Sequence, residues 1–281
     1  MIREIDVSEI KNSIKEMCIE ANYYLSDDMK KALSAAEESE ESEIGKKILG
    51  DLKLNLDIAG KDKIPICQDT GMAVIFMEIG QDVHFVGGSI GDAVNEGVSE
   101  GYTEGYLRKS VVADPLTRVN TGDNTPAILH TEIVLGDKVC ITVAPKGFGS
   151  ENMSKIFMLK PADGEEGVKN AILSAVKDAG PNACPPIVVG VGIGGTFEKS
   201  AILAKRALTR EVGGHSDKEH IRRMEEELLQ RINELGIGPG GLGGNVTAFA
   251  VNIETFATHI AGLPVAVNIC CHVNRHVKRV I

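Results

Sequence analysis

Residues 185–210, "PPIVVGVGIGGTFEKSAILAKRALTR", change period in the middle. Ile187 to Val191 form an unbroken apolar run bounded by two prolines and a glycine cluster, the pattern of a fully buried strand. From Phe197 onward the pattern becomes that of a helix with charged residues on one side. A strand that enters a glycine turn and leaves it as a helix places the chain in the mixed α/β class. Reading outward from this stretch, "SDKEHIRRMEEELLQRINELG" (216–236) is a second helix and "PVAVNICCHV" (264–273) a last strand. Upstream, "GEEGVKNAILSAVKDAG" (164–180) is a helix closed by Gly180 and Pro181, and "MAVIFMEI" (72–79) and "KVCITVAP" (138–145) are strands. "SIGDAVNEGVSEGYTEGYLRKS" (89–110) reads as helical despite its glycines.

The first sixty residues read as helices. Ile10, Ile14, Met17, Cys18, Ala21 and Leu25 recur at helical spacing behind Asp6 and Glu9, a start resembling a capping box. Ser26 is placed to cap a second helix, and the acidic "EESEESE" (37–43) reads as a solvated connection. No repeat, linker or low-complexity tract interrupts the chain. The expectation is one mixed α/β unit with short strands and glycine-rich turns behind a helical N-terminal segment, or the same unit in two lobes.

Composition narrows the function classes. The 281 residues carry 40 acidic and 30 basic side chains, a formal charge of −10, which disfavours non-specific binding to nucleic acid or to a membrane surface. The charged start "MIREIDVSEIKNS" lacks the apolar core of a secretion signal, and no run approaches the length of a membrane span. Six cysteines, none in a CxxC pair, argue against a disulfide framework and for a cytoplasmic protein. With no Trp and 31 glycines, the core must be aliphatic and the turns tight.

Two segments match G-x-G-x-x-G. Gly190 to Gly195 follows a strand and opens a helix, a context that suits a dinucleotide, an anion at the helix start, or merely close approach of two backbones. Gly238 to Gly243 follows a helix, where the nucleotide context fails.

The segment "KIPICQDTGMAVIFMEIG" (63–80) sets Cys67 beside Gln68 and Asp69 and then turns on Gly71. A neighbouring carboxylate makes a cysteine a poorer thiolate, which argues against a nucleophile and suits a thiol held by a metal. Cys184 in "NACPPIV" and the pair Cys270 and Cys271 in "CCHVNRH" sit in similarly unusual company. Spacing alone does not choose between a three-cysteine metal site and buried small hydrophobes.

The local words say more. "ICQDTGMAVIFMEIGQDV", "GYLRKSVVADPLTRVNTGDNTPAILH", "PKGFGSENMS", "ACPPIVVGVGIGGTFEKSA", "GIGPGGLGGNVTAFAVNIET" and "THIAGLPVAVNICCHVNRH" follow one another along the chain. Together they closely resemble the alpha subunit of the iron-sulfur-dependent (class I) fumarate hydratases and the related L-tartrate dehydratases, from about residue 10 to the C-terminus. The resemblance implies that residues 1–281 form the cluster-binding domain of that subunit. It implies a [4Fe-4S] cluster on Cys67, Cys184 and Cys271 with one open iron to act as a Lewis acid. Cys270 competes with Cys271 as ligand; the family word C-H-x-x-R-H and strand alternation favour Cys271. Cys18 and Cys140 fall in apolar patterns and read as core.

The same resemblance places Asp69 and His259 at the reacting hydroxyl, and Gln68 at the substrate. Arg108 and the backbone N–H of Gly149 are implied to bind a carboxylate of the dicarboxylate substrate. The plainer readings are a turn residue for Asp69, a core histidine for His259 and a surface arginine for Arg108. Gly-Phe-Gly stands at 147–149 where the family carries a plainer glycine run, which weakens the Gly149 assignment. The implied activity is a hydro-lyase interconverting fumarate and L-malate, with L-tartrate dehydration as the runner-up and a non-enzymatic nucleotide- or anion-binding module as the alternative from another class. In the family, the base on the carbanion side, with further substrate-binding residues, belongs to a beta subunit or a C-terminal domain. A beta subunit is therefore the expected partner, with neither nucleic acid nor membrane.

Overall fold

The computed structural model describes residues 2–281 and divides into two compact units. The first comprises residues 2–26, 56–147 and 275–281, and the second residues 27–55 and 148–274.

The first unit opens on a short strand the sequence reading did not anticipate, β1 (Arg3–Asp6), followed by α1 (Val7–Tyr23). Asp6 is the N-cap, but its carboxylate accepts from Ser8 rather than from Glu9, so the box with Glu9 does not form. Because their elements belong to the second unit, α2 (Asp27–Ser39) and most of α3 (Glu43–Asp62) are taken up below. Next come β2 (Met72–Gly80), β3 (Val83–Val86), α4 (Ile90–Glu104), β4 (Ile128–Val134) and β5 (Val139–Lys146). A four-stranded sheet runs β10-β5-β2-β4, where β10 (Val277–Val280) is the last strand of the chain. Within it β5 is antiparallel to both neighbours and β2 is parallel to β4.

Helix α1 lies on α4, and glycines explain how. A side-chain carbon on Gly97 would stand 2.6 Å from the Lys11 carbonyl oxygen, and one on Gly101 2.8 Å from that of Lys15. These two positions, one turn apart, cost helix propensity of about 1 kcal/mol each. In return Ile10, Ile14, Met17 and Cys18 reach Val94, Val98, Tyr102 and the inner faces of β2 and β5 in one core. The helix stops at Gly105, so "GYLRKS" is loop, not helix as the pattern suggested.

In the second unit, α2 starts at Asp27; the hydroxyl of the preceding Ser26 is buried with no hydrogen-bond partner among the described residues, so the expected serine cap is absent. The "EESEESE" connection is not simply solvated either. Glu40 is 1% exposed, and its carboxylate accepts the N–H groups of Glu41, Ser42, Asn245 and Val246. Then follow α5 (Phe148–Glu151), β6 (Lys155–Leu159), α6 (Gly164–Ala179), β7 (Ile187–Gly194), α7 (Phe197–Ala207), α8 (Glu219–Asn233), β8 (Ala248–Phe256) and β9 (Leu263–Cys270). The sheet order is β6-β9-β7-β8, with β9 antiparallel to both neighbours and β7 parallel to β8. Val189, Val191, Val251, Ile253, Val267 and Ile269 form one face of this sheet and pack with α6 and α8 in the larger core.

The opposite face of β7 receives α7. Added side-chain carbons on Gly190 and Gly192 would stand 2.2 and 2.0 Å from carbonyl oxygens of Ala204 and Ser200. The glycines of the G-x-G-x-x-G match thus bring helix and strand backbones together, the plainest of the three sequence readings. Both units also share a plan: two parallel strands, then a third strand antiparallel to the first and beside it. No sequence repeat announces this.

Candidate functional site

In the first unit, the loop 66–71 connects α3 to β2 and is held on all sides. The Ile66 N–H donates to the Asn22 carbonyl, which pins the loop to the end of α1. Tyr102, fully buried, directs its hydroxyl to the carbonyls of Thr70 and Gly71, and the Asn124 amide donates to Gly71 as well. Thr70 Oγ1 accepts the Arg108 N–H at 3.0 Å and lies 3.2 Å from the Arg108 carbonyl, so Arg108 leaves from a fixed point. Its side chain is exposed. Burial raises the Tyr102 phenol well above its ordinary value, so the hydroxyl stays a donor at any physiological pH.

Gly71 lets this loop turn. It has φ +75°, and a side-chain carbon there would stand 2.6 Å from the backbone of Lys146. The turn leaves Cys67 and Asp69 half-buried and Gln68 exposed. Cys67 Sγ accepts the Asp69 N–H at 3.4 Å and faces Gln68 Oε1 at 3.5 Å. The Asp69 carboxylate accepts the Gly71 N–H at 3.1 Å, while its other oxygen would be 3.1 Å from a side-chain carbon placed on Gly147. The sulfur therefore meets the amide of its acidic neighbour. The sequence argument from adjacent charge did not foresee that.

In the second unit, Cys184 ends a short 3-10 turn with φ 54°, a left-handed conformation that turns its exposed side chain off the path of the chain. His272 grips this residue: its Nδ1 lies 3.0 Å from the Cys184 carbonyl oxygen, and its N–H donates to the same atom. The glycine loop 238–244 supports the turn from below. Gly240 N–H donates to the Pro185 carbonyl, and Gly241 lies so close to Pro181 that a side-chain carbon would be 2.3 Å from it.

Cys270 and Cys271 divide as strand alternation suggests. Cys270 is the last residue of β9, buried and paired with Val188, whereas Cys271 lies beyond the strand and is half-buried. His272 therefore ties Cys271 to Cys184 within one unit. Cys18 stands apart: burial pushes its thiol up to about 12, and it lies in the helix core as expected. Cys140, on β5, is half-buried.

His259 lies on an exposed loop after β8, so it is not a core histidine. Its Nδ1 accepts the Ala261 N–H at 3.2 Å, which puts the proton of the neutral ring on Nε2. Gly149 is exposed in the first turn of α5, and nothing lies within 4 Å of where its side chain would begin. Of the expected residues, Cys67, Gln68, Asp69 and Arg108 belong to the first unit, and Gly149, Cys184, His259 and Cys271 to the second.

Thiols are the usual ligands of an iron-sulfur group. Cys67, Cys184 and Cys271 are the accessible thiols of the unusual words, and one already accepts a peptide N–H, as cluster sulfurs do. Among the described residues, no three His, Cys, Asp or Glu side chains gather closely enough for a single metal ion. A cluster makes a different demand, since each thiolate reaches a separate iron. Arg275, beyond Cys271 in the chain, holds the Asp69 carbonyl.

Comparison with known proteins bears on the family. A family model described as fumarate hydratase (fumerase) matches residues 11–280. A protein of Methanocaldococcus jannaschii, provisionally named as the alpha subunit of an L(+)-tartrate dehydratase, is 44% identical over 280 residues, 97% of this chain and 98% of that one. The L(+)-tartrate dehydratase alpha subunit of Escherichia coli strain K12 is 30% identical over 283 residues, covering 98% of this chain and 93% of its own. No helix among the described residues is long and apolar enough to cross a membrane.

Proposed function

The chain belongs to the fumarate hydratase (fumerase) family of hydro-lyases, and on that premise we propose that it is the alpha subunit of a two-subunit enzyme that adds water reversibly to fumarate to give L-malate. The observation that carries this reading is the loop 66–71. It presents a thiol and a carboxylate two residues apart, each engaged by a main-chain N–H, on a turn locked by Tyr102 and Asn124. The names of the relatives favour a second reading, dehydration of L-tartrate to oxaloacetate. Both reactions remove a hydroxyl from a four-carbon dicarboxylate, so one set of residues serves either. Residues 1–281 act in this reading as one cluster-binding domain.

Cys67, Cys184 and Cys271 would hold a [4Fe-4S] cluster, which when bound supplies an open, Lewis-acidic iron for the substrate hydroxyl. The chain's own residues do the rest. Arg108, anchored through its main chain by Thr70, grips a substrate carboxylate with two parallel N–H bonds. The Gly149 N–H and the Gln68 amide add donors to the same task. Asp69 holds a proton at its carboxylic acid and gives it to the departing hydroxide, which leaves as water, while the His259 Nε2–H donates a hydrogen bond to the same oxygen. Loss of water also requires a base to take the proton from the neighbouring carbon. We assign that base, with further carboxylate-binding residues, to the beta subunit.

The test is anaerobic co-expression with the partner subunit, followed by iron and sulfide analysis and assay against fumarate and L-tartrate. Turnover by the pair, decaying in air and recovering with ferrous iron and a thiol, is the expected result. Robust turnover by this chain alone would place the missing base within it. Full activity after complete iron chelation would remove the cluster from the chemistry.

A further inference from the structure

Arg275 is 4% exposed, and its Nη2 donates to the main-chain carbonyl of Asp69. Its Nε and Nη1 are buried and have no hydrogen-bond partner among the described residues. Guanidinium does not deprotonate in a protein, so the charge cannot be shed as a lysine's can. A buried cation whose one hydrogen bond goes to a neutral carbonyl is unfavourable by itself, because little repays its lost hydration. Such an arrangement persists where an anion completes it.

The other end of Asp69 indicates which anion. Its N–H donates to Cys67 Sγ, so one residue has its carbonyl on a guanidinium and its amide on a sulfur. The peptide link is 206 residues long in sequence and one residue long in space. We propose that Arg275 is a positioning residue for the cluster site, fixing the Cys67–Asp69 loop through the Asp69 carbonyl and holding a buried positive charge that balances the thiolate-bound iron-sulfur group. This rests on the iron-sulfur reading above. Three thiolates leave such a group with net negative charge, and nearby charge and hydrogen bonds to sulfur are what set its stability and potential. The lone chain carries the counter-charge before its anion arrives.

A purely structural arginine and a counter-charge predict opposite patterns. The full-length chain is compared with Arg275→Met, which keeps length and apolar volume, and with Arg275→Lys, which keeps charge and loses the fork. Without iron, the Met variant should melt no lower than the parent, since an uncompensated buried charge has been removed. After anaerobic reconstitution with ferrous iron and sulfide, it should lose its cluster to a chelator about 10-fold faster, the usual effect of removing a residue that supports a metal ligand. The Lys variant should fall between the two. Hydrogen exchange of the 66–71 amides, read in the iron-free chain, should quicken in both variants. A Met variant that keeps its cluster as long as the parent overturns the inference. So does one whose iron-free form melts several degrees lower while cluster retention falls only in proportion. If the parent chain takes up no iron and sulfide, the iron-sulfur reading itself fails, and the inference with it.

Discussion

Gly71→Ala is the sharpest single perturbation of the loop that carries Cys67 and Asp69. Two costs and one gain decide its size. An alanine at φ +75° takes a left-handed conformation, which costs about 1–2 kcal/mol. Its methyl would stand 2.6 Å from the carbonyl carbon and oxygen of Lys146, the last residue of β5. That is backbone of an interior strand, antiparallel to β2 and β10, so it cannot turn aside like a side chain, and such overpacking costs about 1–3 kcal/mol. Loss of glycine's freedom in the unfolded chain returns about 0.4–1 kcal/mol. The midpoints of these ranges give a net loss of about 3 kcal/mol, with the clash the larger part.

Urea unfolding followed by far-ultraviolet circular dichroism measures it, as the chain has no Trp. With a slope of about 2 kcal/mol per molar, the midpoint should fall by about 1–2 M. Gly122→Ala is the control: its φ is +86°, but nothing lies within 4 Å of the new methyl, so it bears the conformational strain without the clash. The difference between the two variants isolates the contact with Lys146. In the assembled enzyme a loop displaced by about 1 Å should lose about 100-fold in turnover. If Gly71→Ala unfolds at the same urea concentration as Gly122→Ala, the loop does not rest on the Lys146 backbone, and the geometry argued for Asp69 is wrong.

Other expectations follow the same logic. Serine at Cys67, Cys184 or Cys271 should each sharply lower iron and sulfide content after reconstitution, whereas serine at Cys140 should leave it unchanged. Cys270→Ser tests the ligand choice: it should keep the cluster while destabilising the chain, because Cys270 is buried on β9. Gly149→Ala should be silent in stability and substrate affinity, since the position is open and the N–H remains. Gly149→Pro should weaken substrate binding by removing that N–H, at a first-turn position where the helix itself tolerates proline. Glu40→Gln replaces an acceptor oxygen by a donor facing the N–H groups of Asn245 and Val246, and should destabilise the chain by about 1–3 kcal/mol in urea unfolding.

What was legible in the sequence was periodicity. The strand, turn and helix of residues 185–210 appear where the pattern put them, because a run of five apolar residues and a helical stripe each have one economical burial. The strands β1, β3 and β10 escaped notice, since four residues are too few to establish a period, and β4, β6 and β8 were not read as strands either. The helix end at Gly105 was missed for a related reason. Glycines at 97, 101 and 105 all look alike in sequence, but the first two lie against α1 inside the helix and the third caps it. Which of three equal residues ends a helix is decided by the neighbour across the contact.

The site divides along the same line. Cys67, Cys184 and Cys271, the ligands proposed above, stand out in the sequence by the unusual words around them. The residues that aim their loops carry no local mark. Arg275 reaches Asp69 across 206 positions, and Glu40 reaches Val246 across 206 more. In sequence Glu40 is one acid within an acidic run, and such a run most simply means solvent. In the fold it is the one that turns inward, and it fastens the segment at 245–246. The glycine loop that ends there supports Pro181 and Pro185 on either side of Cys184. A carboxylate can satisfy several peptide N–H groups at once because it accepts on two oxygens, which no single neutral side chain does as well. The acidic run and the glycine run are thus two halves of one support, unreadable separately because each half shows only its own composition and neither shows its partner.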